Sequence, residues 1–94
     1  MSARRIVRLA IRGRVQGVWY RGWTVDAARA RGLDGWVRNR ADGSVEAILA
    51  GPADMVAEMI AACRQGPPAA RVDAIDVSEE PAPPPPGFHQ HPTA

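Results

Sequence analysis

Between Ile6 and Arg12, apolar and polar positions alternate: Val7, Leu9 and Ile11 fall on one side, Arg8, Ala10 and Arg12 on the other. That period of two predicts a strand with one buried face. Gly13 is expected to end it, and Gly17 follows; both can take backbone angles that other residues resist. The period then changes. Tyr20, Thr24, Ala27, Ala28 and Arg31 share one stripe, which predicts a helix from about Tyr20 to Arg31 with Gly32 as a left-handed cap. Arg31 fits the stripe poorly, so its stem is expected to pack while its guanidinium reaches solvent. Trp36 to Arg40 reads as a second strand, Asp42-Gly43 as a hairpin turn, and Val45 to Ala50 as the returning strand. Gly51-Pro52 opens a second helix with Val56, Met59, Ile60 and Cys63 on its apolar stripe, and Gly66-Pro67-Pro68 stops it. A last strand covers about Arg71 to Val77. Alternation fails there at Asp73-Ala74, the sign of a bulge or an edge position.

The order strand, helix, strand, strand, helix, strand predicts an α+β fold: a ferredoxin-like βαββαβ sandwich, four antiparallel strands with both helices on one face. Residues 1–78 form this domain, and a length of 94 leaves little room for a second. From Glu79 the chain reads Glu-Glu-Pro-Ala-Pro-Pro-Pro-Pro-Gly-Phe-His-Gln-His-Pro-Thr-Ala. Consecutive prolines lack amide donors and favour an extended, solvated form, so 79–94 is expected to be a flexible or weakly docked extension outside the sheet interior.

Composition narrows the picture further. One cysteine, Cys63, excludes an internal disulfide and reads as a small buried hydrophobe. No apolar run approaches the roughly 18 residues of a membrane span, and Arg8 and Arg12 interrupt the first apolar stretch. A cytoplasmic monomer without a membrane partner is the expectation. All 12 basic residues are arginine, against 10 acidic ones, for a net charge of +2. That excess is too small to argue for nucleic acid. RNA binding on the open sheet face would need stacking aromatics, which Arg8, Ala10 and Arg12 do not offer. Compositional bias explains the arginines better than oxyanion recognition, which applies only at particular positions.

One such position lies in Gly13-Arg14-Val15-Gln16-Gly17-Val18-Trp19-Tyr20-Arg21. A glycine-flanked turn between strand and helix lets the N–H groups of Arg14, Val15, Gln16, Gly17 and Val18 curl around an anion at the positive end of a helix. The spacing is a weak signal by itself. Arg21, a cation in the first helical turn, is unfavourable by roughly 0.3–1 kcal/mol unless a bound anion reverses the sign. Spacing leaves open whether it binds phosphate or reaches water. Asn39 shares the pleat side of Val37 and can orient a water without taking its proton, although a hairpin-flanking Asn is also ordinary.

The motifs together resemble the acylphosphatase family: Gly13 to Val18 followed by Tyr20-Arg21, Gly32 to Asn39, Asp42 to Glu46, Gly51-Pro52 and Gly66-Pro67. The resemblance covers about Ile6 to Val77. It implies hydrolysis of a small-molecule acyl phosphate to a carboxylate and phosphate, without metal or cofactor. It implies that Arg21 binds the phosphate and Asn39 positions the attacking water. Trp19, Arg31 and Arg40 depart from the family's usual residues; Arg40 is expected to pair with Glu46 across the hairpin. The alternative is a module that binds phosphate or an acyl phosphate without turnover. A relation to the opening domain of larger hydrogenase-maturation proteins fits less well, because zinc-finger cysteines are missing. No histidine precedes His89, and no nucleophile–base pair is evident, so a covalent mechanism is not expected. His89 and His91 without nearby ligands point to no metal site, and Pro83 to Pro86 to no partner. Trp19 and Trp23, one turn apart, are candidates for walling the pocket against an aromatic acyl group. Asp54 and Glu58 read as solvated charge.

Overall fold

The computed structural model describes residues 3–94. Its elements run β1 (Arg4–Arg14), α1 (Tyr20–Ala30), β2 (Asp34–Asn39), β3 (Val45–Pro52), α2 (Ala53–Gln65), β4 (Arg71–Glu79) and β5 (Phe88–Gln90). The sheet order is β4-β1-β3-β2-β5. The first four strands are antiparallel neighbours, as the βαββαβ pattern requires. The fifth is a correction to the expected four-stranded sheet: β5 pairs parallel to β2, with Phe88 opposite Gly35 and Gln90 opposite Val37. The domain thus extends into the stretch expected to be a loose extension, and Phe88 is 1% exposed. The prolines themselves stay out of the ladder, so their missing donors cost no sheet hydrogen bond.

Alternation places Val7, Leu9, Ile11, Val37, Ala47 and Leu49 on one sheet face, where they meet Tyr20 and Ala28 of α1 and Val56, Met59 and Cys63 of α2. Gly13 does not end β1, which continues to Arg14. The failed alternation in β4 is a bulge at an edge: Val72 pairs with Gly13 and Ala74 with Arg12, leaving Asp73 as the extra residue. Helix α1 closes on Gly32 at φ 66°, with Gly32 N–H donating to Arg29 O and Leu33 N–H to Ala28 O. Both bonds satisfy carbonyls that a bare helix end would leave orphaned. Arg31 and Glu58 differ from expectation, since the Arg31 guanidinium bridges to Glu58 of α2 at 3.3 Å and to Ala27 O at 3.0 Å.

On the open face, Glu46 is 4% exposed and paired with Arg8, with Arg38 at 2.7 Å and with Arg40 at 3.2 Å. Trp36 also stands on this face, contrary to the expectation that it carries no aromatic residue. His91 stacks on Trp36 at 5.1 Å and the Arg38 guanidinium lies 4.8 Å from its ring. The segment after β4 crosses here, with Glu80 and Pro83 to Pro85 lying against Arg8, Trp36 and Ile48. Among the described residues no helix is long and apolar enough to cross a membrane.

Candidate active site

The turn from β1 into α1 is anchored by its two valines. Val15 and Val18 are buried, which leaves the backbone between them at the surface, with Gly17 at φ 73°. Trp19 then precedes the helix at φ 64° and ψ 24°, a left-handed conformation that disfavours a side-chain-bearing residue by about 1–2 kcal/mol. No protein acceptor among the described residues takes the N–H groups of residues 16 to 19. The first helical bond runs from Trp23 N–H to Trp19 O at 3.0 Å, so the amides of residues 20 to 22 add the usual orphan donors of a helix start.

This turn, the first turn of α1 and the ends of β2 and β5 enclose a cavity of about 150 Å³. Arg21 and Asn39, far apart in sequence, both line it, beside Val15, Gln16 and Gly17. Arg14 and Val18 do not. Arg21 has no ion pair or hydrogen bond among the described residues, unlike the arginines gathered on Glu46. Asn39 sits where β2 ends, its main-chain O accepting from Ala94 N–H at 3.0 Å. Its side-chain Oδ1 is buried and has no partner. A buried acceptor in that state costs about 1–3 kcal/mol until a donor such as water meets it.

Gln16 has a second role that spacing did not disclose. Its side-chain Nε2 donates to Arg40 O at 2.8 Å and to Ser44 O at 2.9 Å, tying the turn to the β2–β3 hairpin. Within that hairpin Asp42 Oδ1 accepts from Ser44 Oγ at 2.6 Å and from Ser44 N–H at 2.9 Å, and these bonds hold its carboxyl below the usual range. Tyr20 lines the cavity but spends its hydroxyl on Cys63 O at 2.6 Å. Burial pushes the Tyr20 phenol up, and pushes the Cys63 thiol up to about 11, so neither carries charge near neutral pH. Of the two candidate tryptophans, Trp19 lines the cavity, whereas Trp23 packs against Tyr20 at 5.5 Å between ring centres. Gln90 is a lining residue that sequence reasoning missed. It follows a proline run, in a strand too short to show a period. No group of three or more His, Cys, Asp or Glu among the described residues could hold a metal ion.

Comparison with known proteins identifies the family. Residues 7–90 match the family model described as acylphosphatase. The acylphosphatase of Rhizorhabdus wittichii is 64% identical over 86 residues, covering 92% of this chain and 87% of that protein. The acylphosphatase of Rhodospirillum rubrum is 60% identical over 83 residues, covering 88% and 91%. The crystal structure of acylphosphatase from Bacillus subtilis superposes with a TM-score of 0.87 at 34% identity, covering 92% of this chain and 97% of that one. A family match reaching through β5, strong identity over most of both chains and a shared fold lead to one statement: the chain belongs to the acylphosphatase family of enzymes.

Proposed function

We propose that the protein hydrolyses the carboxyl–phosphate bond of acyl phosphates. Main-chain N–H groups of the turn residues that line the cavity, Val15, Gln16 and Gly17, bind the phosphoryl oxygens together with the Arg21 guanidinium, and Asn39 orients the attacking water. The water oxygen forms a bond to phosphorus as the bond from phosphorus to the acyl oxygen breaks. The carboxylate leaves with the electron pair, and the water proton passes to solvent or to the released phosphate. A carboxylate is a weak base, so its departure needs little help from a general acid. Charge on the transferring oxygens does need stabilising, and fixed donors in a partly enclosed site supply that. The unpaired Asn39 Oδ1 accepts from one water O–H and leaves the oxygen lone pair free for attack, a positional contribution. The scheme uses no metal, cofactor, nucleic acid or membrane, and the protein is taken to work as a cytoplasmic monomer.

The observation that carries this reading is the meeting of a free guanidinium and an orphaned amide oxygen in one cavity at the start of a helix. Steady-state hydrolysis of benzoyl phosphate tests it. Arg21→Ala should lower kcat/KM on the order of 100-fold or more and weaken competitive inhibition by inorganic phosphate. Asn39→Ala should lower kcat by about 100-fold and keep that inhibition, and chelators should leave the wild-type rate unchanged. Full activity in Arg21→Ala overturns the scheme. Phosphate binding without turnover in the wild type identifies a binding module instead.

A further inference from the structure

Trp19 combines three features that packing does not require. It is 63% exposed, it lines the cavity beside Arg21 and Asn39, and it is held left-handed against the preference of its residue type. Its indole lies over Gly22, where a Cβ would overlap the ring. The position therefore depends on a missing side chain one turn further along the helix. Trp23, by contrast, is packed against the core and needs no such arrangement. Backbone strain of this kind collects at ligand sites because the surrounding structure has to impose it. The result is a flat apolar surface fixed at the rim of a polar cavity.

We propose that Trp19 determines specificity by serving as the platform for the acyl group, favouring planar, apolar acyl phosphates over small aliphatic ones. The inference rests on the proposed function, because the phosphoryl group must first be anchored in the turn. The turn amides, Arg21 and Asn39 draw the phosphoryl group into the cavity, so the acyl group extends toward its exposed side, where Trp19 stands. An aromatic acyl group there stacks on the indole and is dehydrated on one face; an acetyl group has no ring to stack.

The test compares kcat/KM for benzoyl phosphate and acetyl phosphate in wild type, Trp19→Gly and Trp19→Phe, with competitive inhibition by inorganic phosphate measured alongside. Glycine accepts the left-handed backbone without strain, so Trp19→Gly removes the ring and leaves the turn intact. The ratio of benzoyl to acetyl kcat/KM should fall by about 3- to 10-fold in Trp19→Gly and recover in Trp19→Phe, while phosphate inhibition, which involves no acyl group, keeps its strength. An unchanged ratio overturns the proposal while acyl phosphate hydrolysis stands. An equal loss on both substrates with weakened phosphate inhibition also overturns it, because the ring then supports the turn rather than the acyl group. A wild type inactive on both substrates removes the underlying reading and this one together.

Discussion

Glu46 shows how a single carboxylate can be kept charged inside a small domain. Burial alone would raise its pKa, but hydrogen bonds from Arg38 and Arg40 and the charge of Arg8 outweigh burial and hold it below the usual glutamate range. A folded-state value below the unfolded one means that the contribution to stability is present above the ordinary glutamate pKa of about 4.3 and is lost as pH falls through the lower folded value. Denaturant unfolding of the wild type should therefore show stability dropping on acidification below that point. Glu46→Gln should lose about 1–3 kcal/mol at neutral pH and show a flatter acid limb. An equally steep limb in the variant would assign the acid sensitivity to other carboxylates. Arg40 pairing with Glu46 was legible in the hairpin spacing, and so was the location of Arg21 and Asn39. Parity along β2 put Asn39 on the helix side, and the glycine-flanked turn put Arg21 at a helix start. The Trp19 backbone was not legible, because a left-handed tryptophan contradicts every local preference and exists only through its tertiary setting.

At the scale of elements, period and turn chemistry placed both helices and four strands, and even located the β4 irregularity from two residues. They erred mainly at boundaries. Pro52 opens α2 as expected, directly before Ala53, whereas β4 runs on to Glu79 because an edge strand keeps pairing after its side chains stop alternating. The coupling between elements was hidden, since a glutamine carries no sequence mark of its partners. Gln16 joins the β1–α1 turn to the β2–β3 hairpin, so the turn and the end of β2 that carries Asn39 hold one position relative to each other. Arg40 O also accepts from Gly43 N–H, and Ser44 O from Arg40 N–H, so removing the glutamine orphans neither carbonyl. Gln16→Ala should then cost only about 0.5–1.5 kcal/mol in thermal or urea unfolding, while amide exchange in residues 40 to 44 accelerates. Unchanged exchange there would show that the hairpin holds its place without the turn.

For the whole molecule, the departure from expectation is the closing stretch of chain. The proline run announces an absence of regular structure, and three residues of strand are too few to announce its return. Phe88 nevertheless enters the core, Arg29 donates to Phe88 O from Nη2 at 3.0 Å, and Gly87 N–H donates to Asp34 Oδ1 at 2.8 Å. Phe88→Ala should destabilise the fold by about 3–5 kcal/mol, read as a lowered urea midpoint; a loss under about 1 kcal/mol would mean that β5 contributes little to the core. The route to Phe88 also sets a length. With φ fixed in four consecutive prolines, the crossing behaves as a stiff gauge of about 3.1 Å per residue rather than as slack chain. It meters out where β5 lands on β2. If the prolines hold that length, a single added residue turns Phe88 outward and carries Gln90 to the opposite side, so the number of residues spanning the open face bears on the cavity wall as the lining side chains do.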